Sequence, residues 1–328
     1  MKTSRILAGL LGVGFAGAAT AQVIDGTVDA VYGAPLAVQT VQTEFGDASD
    51  ATGLGGGGEL NAGYAIADLN TGKLSVLLTG NIEPNFNKVN VFIDSQPGGE
   101  NVLDGGLAYD FGDVAANFGG LTFDTGFEAD YHLFGRWGGG AFEVDIVDRA
   151  ASTPGNEFGN FGAASAGSGT GVQTGTITAA AGTPTTGADG GTFLTSDVEF
   201  GFNNTNTAGV AGGTAAADAS AAAAVATGFE FAIDLADIGN PGFGDVILIH
   251  AAYGNGDNNF HSNQILGGVP APQGNLGGDG AGNFTGTLSG IDFNQFDGDQ
   301  FFAVTVVPEP ATAALVGLGG LAMLRRRK

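Results

Sequence analysis

The chain has 328 residues, 61 of them glycine, and only 13% are charged, which excludes a fold of long amphipathic helices and favours many tight turns. Its formal net charge is −24, and a body this acidic repels nucleic acid and anionic lipid surfaces. With no cysteine and three histidines, disulfides, thiolate metal sites and a cysteine nucleophile are excluded, and no HExxH-type zinc motif is present.

The N-terminal segment has the features of a secretory signal peptide. Lys2 and Arg5 precede an apolar stretch over residues 6–18, and a small-residue Ala-Thr-Ala precedes Gln22. A positive start, an apolar centre and a small-residue cleavage site are typical of such peptides. We therefore predict that residues 1–21 are a signal peptide, which signal peptidase removes.

Alternating apolar residues between residues 23 and 149 predict short β-strands. Apolar side chains share one face in residues 73–80 and 89–93, and residues 94–101 are rich in turn formers. In residues 141–148 the acidic Glu143 and Asp145 are predicted to point outward. The side chains predicted to point inward there are those of Phe142, Val144 and Ile146.

Residues 150–192 lack this alternation and are rich in Gly, Ala, Ser and Thr, which predicts a flexible low-complexity insertion. The Ala-rich residues 214–227 predict at most one short helix. Residues 228–235 alternate as a strand, and residues 245–254 form a continuous apolar run suited to a central strand covered on both faces. Residues 299–307 are predicted to close the sheet.

Roughly ten to twelve such strands predict an all-β fold, an antiparallel β-sandwich of jelly-roll type. The insertion could separate two domains. Each part of the chain beside it is small and glycine-rich for a core of its own. We therefore predict one β-sandwich domain over residues 22–306.

The C-terminal segment, residues 307–328, joins a proline-flanked glutamate, an apolar run and a basic end. As a helix, residues 311–324 would span roughly 21 Å at about 1.5 Å per residue, against a hydrocarbon core of about 30 Å. Such a helix inserts marginally, with the basic end on the cytoplasmic side. The flanking and basic residues are Pro308, Glu309, Pro310, Arg325, Arg326, Arg327 and Lys328.

This combination resembles the PEP-CTERM sorting signal. The resemblance implies export in a diderm bacterium that makes extracellular polysaccharide, transient membrane insertion of the apolar helix, and processing by an exosortase. The alternative is an ordinary C-terminal membrane anchor that is never cut. Either reading places the body outside the cytoplasm, at the cell surface or in the extracellular matrix.

The body carries a second resemblance. The stretches "VIDGTVDAVYG", "VNVFIDSQPGGEN", "GFEADYHLFGRWGGGAFEVDI", "GFEFAIDLADIG" and "HSNQILGG" occur in an order similar to that of family 9 carbohydrate-binding-like, or DOMON-like, β-sandwiches. The resemblance implies a noncatalytic sandwich that binds sugar, often with structural calcium. Sugar sites of that family use paired tryptophans, and this chain has one.

Sugar recognition needs an aromatic face beside planar hydrogen-bonding groups. Trp137 follows Arg136 and precedes three glycines, where a turn would present both side chains at a sheet end, with Tyr131 and His132 just before. The alternative is that Trp137 packs into the core.

A second candidate recognition site is the loop after the predicted central strand. It is polar, and loops on a rigid scaffold often carry recognition. Asn and Asp also stabilise turns by bonding their own backbone, which is the alternative. The candidate binding residues of this loop are Asn255, Asp257 and Asn259.

Calcium takes about six to eight oxygen ligands from carboxylates, amides and carbonyls. Asp94, after a predicted strand, is one candidate ligand. A second candidate group, near the C-terminus, lacks the EF-hand spacing. It comprises Asp292, Asn294, Asp297 and Asp299.

Motifs for catalysis are weak. Residues 53–58 match G-x-G-x-x-G without a following helix pattern, and an acid pair such as Glu128 and Asp130 is weak evidence for a glycosidase in so acidic a chain.

We expect an exported, surface-sorted, noncatalytic β-sandwich protein that associates with extracellular polysaccharide and binds glycan, with no cofactor other than calcium. The alternatives are a structural envelope or biofilm-matrix protein without a defined ligand, and a hydrolase.

Overall fold

The computed structural model describes residues 22–46, 57–106, 114–149, 160–164, 171–179 and 193–308. Within these residues the fold is all-β, as predicted. The strands are β1 Ala37–Val38, β2 Glu59–Asp68, β3 Lys73–Asn81, β4 Lys88–Asp94, β5 Tyr131–Gly138, β6 Ala141–Asp148, β7 Asn160–Ala164, β8 Val172–Ile177, β9 Val198–Asn203, β10 Gly228–Asp234, β11 Val246–Gly254, β12 His261–Leu266 and β13 Phe302–Val307.

Two short helices occur among the described residues, α1 Val114–Phe118 and α2 Ala219–Ala223. The second lies in the Ala-rich stretch and begins at Asp218, whose carboxylate accepts hydrogen bonds from the backbone nitrogens of Ser220 and Ala221. The prediction of at most one short helix is wrong, because α1 is a five-residue segment that is too short to produce an apolar periodicity.

The strands form one path in the order β7-β6-β5-β4-β11-β13-β2-β3-β10-β9-β8, with β1 beside β2 and β12 beside β11. The two ends of this path, β7 and β8, lie against each other, so the sheet is nearly closed and barrel-like. β13 runs antiparallel to β11 and parallel to β2. The sheet is therefore mixed rather than antiparallel, and the jelly-roll arrangement is not confirmed.

The main core fills the interior between two halves of this sheet. One half contains β4, β5, β6 and β11, and the other contains β2, β3, β9 and β10. Phe142 of β6 stacks on Phe202 of β9 with ring centroids 4.3 Å apart, and it meets Phe229 of β10 edge-on at 5.3 Å. The ring of Phe142 thus joins the two halves. The predicted inward faces of β3, β4, β6 and β10 all contribute to this core.

A second core covers the outer face of β4, β5, β11 and β12. Phe92 and Phe134 of the sheet pack there beneath loop residues such as Phe118, Phe123 and Phe293. β11 is covered on both faces, as its continuous apolar run predicted. This part of the outer face is not a solvent-exposed surface.

The N-terminal segment covers the outer face of β2, β3 and β10. Tyr32 donates its hydroxyl hydrogen to Glu230 Oε1 at 2.7 Å, and Glu230 Oε2 accepts hydrogen bonds from the backbone nitrogens of Asp25 and Gly26, each at 2.9 Å. Burial raises the pKa of Glu230. The polar face that the sequence shows on β10 is therefore buried as well.

The domain boundaries stay predictions. Residues 1–21 and 309–328, including the predicted apolar helix and the basic end, lie outside the described residues. Within residues 150–192, the described parts include β7 and β8, and the rest of the segment lies outside them. The prediction that residues 150–192 form one insertion also stays a prediction.

Candidate functional site

The predicted aromatic site falls on β5, whose alternation divides it. Tyr131 and Trp137 face the interior core, whereas His132 and Arg136 lie on the outer face of the sheet. The predicted turn occurs at the glycines that follow Gly138, the last residue of the strand. It does not present Arg136 and Trp137 together at a sheet end, because both lie within the strand and face opposite sides of the sheet.

Trp137 is a core residue, only 2% exposed. Its ring meets that of Phe202 edge-on, with centroids 6.0 Å apart. The ring of Tyr131 is also buried, 5.8 Å from that of Phe193, and its hydroxyl accepts a hydrogen bond from Gln96 at 3.3 Å. Sugar stacking needs an exposed ring face, and the fold leaves none at Trp137 or Tyr131.

His132 connects β5 to the predicted polar loop. Its Nε2 lies 3.1 Å from Asn90 Oδ1, and the Asn90 amide donates to Asn258 Oδ1 at 3.0 Å. Burial lowers the pKa of His132 well below its usual value, so the ring is neutral. The structure thus brings together two regions that are distant in the sequence.

The predicted residues of this loop are engaged in the loop's own structure. Asn255 Oδ1 accepts hydrogen bonds from the backbone nitrogens of Asn259 and Phe260 at 3.0 and 3.1 Å, and the Asn255 amide donates to Asn259 Oδ1 at 2.6 Å. Asp257 contributes its backbone oxygen, which accepts from Asn117 Nδ2 at 2.7 Å. These contacts are typical of amides that stabilise turns.

Arg136 forms a buried charge cluster with two acids of β6. Its Nε donates to Glu143 at 2.8 Å and its Nη1 to Asp145 at 2.5 Å. Lys88 lies opposite Arg136 in the β4–β5 pair, and both cations lie over the Phe134 ring, at 6.0 and 5.7 Å from its centroid. Burial, opposed by the Arg136 charge, raises the pKa of Asp145 to about 7. The cluster holds β4, β5 and β6 together.

The predicted calcium ligands do not form one site. Asp94 accepts a hydrogen bond from the backbone nitrogen of Glu128 at 2.9 Å, and burial raises its pKa. Asp292 Oδ1 accepts from the backbone and amide nitrogens of Asn294, at 3.1 and 2.9 Å. Asn294 Oδ1 in turn accepts from Thr125.

These oxygens stabilise turns of the chain, and Asp297 and Asp299 are exposed beside them. In the described part of the chain, no group of three or more His, Cys, Asp or Glu side chains is arranged to hold a metal ion. Calcium binding at these residues stays a prediction.

An exposed aromatic ring that the sequence did not single out lies near the polar loop. Phe86 has a φ of 67°, which is rare for a bulky residue, and it is 46% exposed. Its ring lies over Gly138, where a Cβ atom would be 2.5 Å from ring carbons. Asn85 and Asn87, beside it, both donate to Glu83, at 2.8 and 2.9 Å. In the sequence, the glycines after Trp137 suggested a turn that exposes Trp137. In the structure, the absence of a side chain at Gly138 instead makes room for the ring of Phe86.

At the other end of the body, β13 ends at Val307. Residues 306–328 match the PEP-CTERM protein-sorting motif. This chain carries a PEP-CTERM sorting signal. The signal begins within the last strand of the sheet. It indicates that the protein is an exosortase substrate, exported and sorted to the cell surface in Gram-negative bacteria.

Comparison with curated proteins and with solved structures found no match to the chain. The resemblance of the body to family 9 carbohydrate-binding-like or DOMON-like sandwiches is thus not supported by a homologue. Among the described residues, no helix is long and apolar enough to cross a membrane. The apolar run of the sorting signal lies outside them.

Proposed function

We propose that this protein is a noncatalytic structural component of the cell envelope or of the extracellular polysaccharide matrix. The observation that carries the proposal is the position of the sorting signal, which continues directly from β13. The signal delivers a rigid, acidic body to the cell surface. A net negative charge keeps such a body soluble and, without divalent cations, separate from its neighbours.

The buried state of the predicted recognition residues supports this structural role over glycan binding. Trp137 and Tyr131 pack in the interior, and Asn255 and Asn259 bond to each other. Binding of a glycan at a surface needs exposed rings, or polar groups whose donors and acceptors can form hydrogen bonds with the ligand.

Export and processing proceed in three steps under this proposal. Signal peptidase removes residues 1–21. The apolar residues 311–324 then enter the membrane, with residues 325–328 left on the cytoplasmic side, and exosortase cuts the chain between the body and the basic end.

Mass spectrometry of the protein recovered from the cell surface tests the sorting steps. We expect a mature form that begins at Gln22 and lacks residues 325–328. A triple variant, Pro308→Ala, Glu309→Ala and Pro310→Ala, is expected to retain the basic end and stay with the membrane. Recovery of wild-type protein that still carries residues 325–328 would show that the segment is an uncut anchor.

A glycan array probed with the mature protein, with calcium and with chelator, tests the structural role. We expect no selective glycan. Calcium-dependent self-association in light scattering is expected instead, since acidic surfaces associate through divalent cations. Saturable binding of one glycan class overturns the structural proposal.

Glycan binding is the second candidate, and Phe86 is the observation that favours it. Its exposed ring beside the amides of Asn85 and Asn87 provides an apolar face with planar polar groups. If a glycan binds, Phe86→Ala is expected to abolish the binding, while Phe284→Ala, which removes another exposed ring, leaves it intact. Binding that survives Phe86→Ala excludes this site.

A further inference from the structure

Exposed apolar side chains gather where the chain leaves the body for the sorting signal. Phe243 is 73% exposed, Val246 51%, Val307 40% and Leu69 38%. Together they are called the exit patch. In a soluble body, large exposed apolar side chains that cluster mark an interaction surface.

Strand pairing makes the exit patch continuous. Val246 lies opposite Thr305 in the β11–β13 pair, and Thr305 and Val307 share the exposed face of β13, whose residues alternate between buried and exposed. The backbone nitrogen of Leu69 donates to the Val307 oxygen at 3.1 Å. The patch therefore surrounds the end of β13.

A fixed turn presents the ring of Phe243. Asp245 closes the turn, since its carboxylate accepts from the backbone nitrogen of Gly242 at 2.8 Å and its own nitrogen donates to the Gly242 oxygen at 3.1 Å. Two more backbone hydrogen bonds, each 2.9 Å, tie Gly244 and Asp245 to Val306. The backbone at Phe243 is thus held beside the first residues of the sorting signal.

The sequence beyond Val307 indicates what covers the exit patch. The apolar run begins at residue 311, and four peptide steps of extended chain reach at most roughly 14 Å. Any membrane that holds this run lies within that distance of the patch. The occupant must be apolar or zwitterionic, because Asp245 and the acidic body repel anionic headgroups.

We propose that the exit patch docks on the outer surface of the membrane that holds the uncut sorting signal, with Phe243 in the interfacial region. Trp, Phe and Leu side chains are typical of protein surfaces that bury an apolar face in this region of a bilayer. The proposal rests on the membrane insertion of residues 311–324 proposed above. Cleavage of the signal releases the body, because the patch alone is too small to hold so acidic a protein.

Docking at this end orients the body. β11 runs from Val246 in the patch to Gly254 at the opposite end, and the eight steps between its nine residues rise about 3.4 Å each, roughly 27 Å in all. Phe86 lies at that opposite end, because Lys88 pairs with Gly254. The membrane-bound precursor therefore holds Phe86 and the polar loop away from the bilayer.

Site-specific fluorescence tests the docking, and the absence of cysteine in the sequence makes single labels simple. Phe243→Cys and Phe284→Cys, each labelled with an environment-sensitive NBD group, are prepared as chains of residues 22–328. Phe284 is the matched control, an exposed phenylalanine. Its loop is tied through Gly277 to His261, which pairs with Gly254 at the opposite end.

The labelled chains are added to phosphatidylcholine vesicles with and without nitroxide-labelled lipid. We expect both chains to float with the vesicles, and the label at residue 243 to shift to shorter wavelength and lose severalfold more emission to the nitroxide than the label at 284. Flotation with equal quenching at the two positions overturns the docking and leaves the insertion of the signal intact. Failure of both chains to float overturns the insertion and the docking together.

A truncated chain that ends at residue 308 provides a further readout. We expect its label at residue 243 to be unquenched, because without the membrane segment the acidic body does not approach the vesicle. Equal quenching with and without residues 309–328 contradicts the dependence on the sorting signal.

Discussion

The imidazole of His132 lies parallel to the ring of Phe92, with centroids 4.1 Å apart and planes 8° apart. The two residues are opposite each other in the β4–β5 pair, on the outer face of the sheet, beneath the loops of the second core. His250 lies in the same core, with its centroid 5.0 Å from that of Phe123 and 4.9 Å from that of Phe293. This core therefore buries neutral imidazoles among phenylalanines.

Acid is expected to destabilise the protein through these histidines. Burial, with a smaller contribution from His261, lowers the pKa of His250 to about 3, and burial lowers that of His261 to about 4. An unfolded histidine titrates near its usual pKa of about 6.5, so protonation favours the unfolded chain below that pH. The stability from neutral His250 is complete above about pH 6.5 and falls as the pH drops towards 3.

Urea unfolding at pH 7.5 and 4.5 measures this loss. For His250 alone the free energy of unfolding is expected to fall by about 2 to 3 kcal/mol between these pH values, at about 1.4 kcal/mol per pH unit. His250→Phe removes that contribution, although it also removes the hydrogen bond from Nδ1 to the Gln300 oxygen, 2.7 Å long. A variant whose stability falls with pH as steeply as that of the wild type contradicts the assignment to His250.

Trp137→Ala is expected to cost about 3 to 5 kcal/mol of unfolding free energy, because it leaves a cavity in the interior core beside Phe202. Wild-type tryptophan emission should lie at short wavelength and resist quenching by iodide. Phe86→Ala is the control, since its ring is half exposed, and should cost less. Emission typical of an exposed indole in the native protein contradicts the buried position.

Arg136→Met is expected to destabilise the protein by about 3 to 5 kcal/mol, because it leaves Asp145 buried without its cation. Asp145 already has a raised pKa. A carboxylate with a raised pKa in the folded protein costs stability as the pH rises from its unfolded pKa towards the raised value. Because Arg136 lowers the pKa of Asp145, its removal raises that pKa further, so the variant should lose more stability at pH 8 than at pH 6.

Lys73→Met provides the matched control for the buried pair. Lys73 and Glu199 form a partly exposed ion pair 3.5 Å apart, for which we expect a loss of about 1 kcal/mol or less. Chemical denaturation of both variants at the two pH values compares them. If Lys73→Met and Arg136→Met lower the free energy of unfolding equally, burial of the ion pair is not what makes it important.

Gly58→Ala is expected to destabilise the fold by about 1 to 3 kcal/mol. A Cβ atom there would lie 1.9 Å from the Tyr253 ring, which is fully buried. Gly242→Ala is the control, because the nearest atom to its Cβ would be 3.7 Å away. Thermal unfolding of both variants distinguishes steric overlap from a general effect of alanine, and equal melting temperatures contradict the close contact at Gly58.

Local alternation predicted most of the strands and the faces that enter the interior core. Phe142 of β6 and Phe229 of β10 meet across that core, as side chains with a period of two on each strand require. β13 was predicted to close the sheet, but it lies in the middle of the strand order, where it joins β11 to β2. The parallel pairing with β2 was not predicted, since strand direction depends on the path of the whole chain.

The candidate sites were predicted less well. The sequence grouped His132, Arg136 and Trp137 by proximity, but a strand sends neighbouring side chains to opposite faces. The contact of His132 with Asn90, and of Asn90 with the loop at Asn258, depends on strand pairing between distant segments. The exposure of Phe86 could not be predicted from the sequence, because it results from a positive φ and from the glycine turn beneath the ring.

The sequence by itself determined the all-β class, the strands with clear alternation and the address at the C-terminus, because these depend on short-range patterns. Tertiary structure alone decided which polar faces are buried. Glu230 and Asp145 look alike as outward acids on alternating strands, yet Glu230 is covered by the N-terminal segment and Asp145 is paired with Arg136. Burial depends on which distant segments pack over a strand, and no local pattern contains that information.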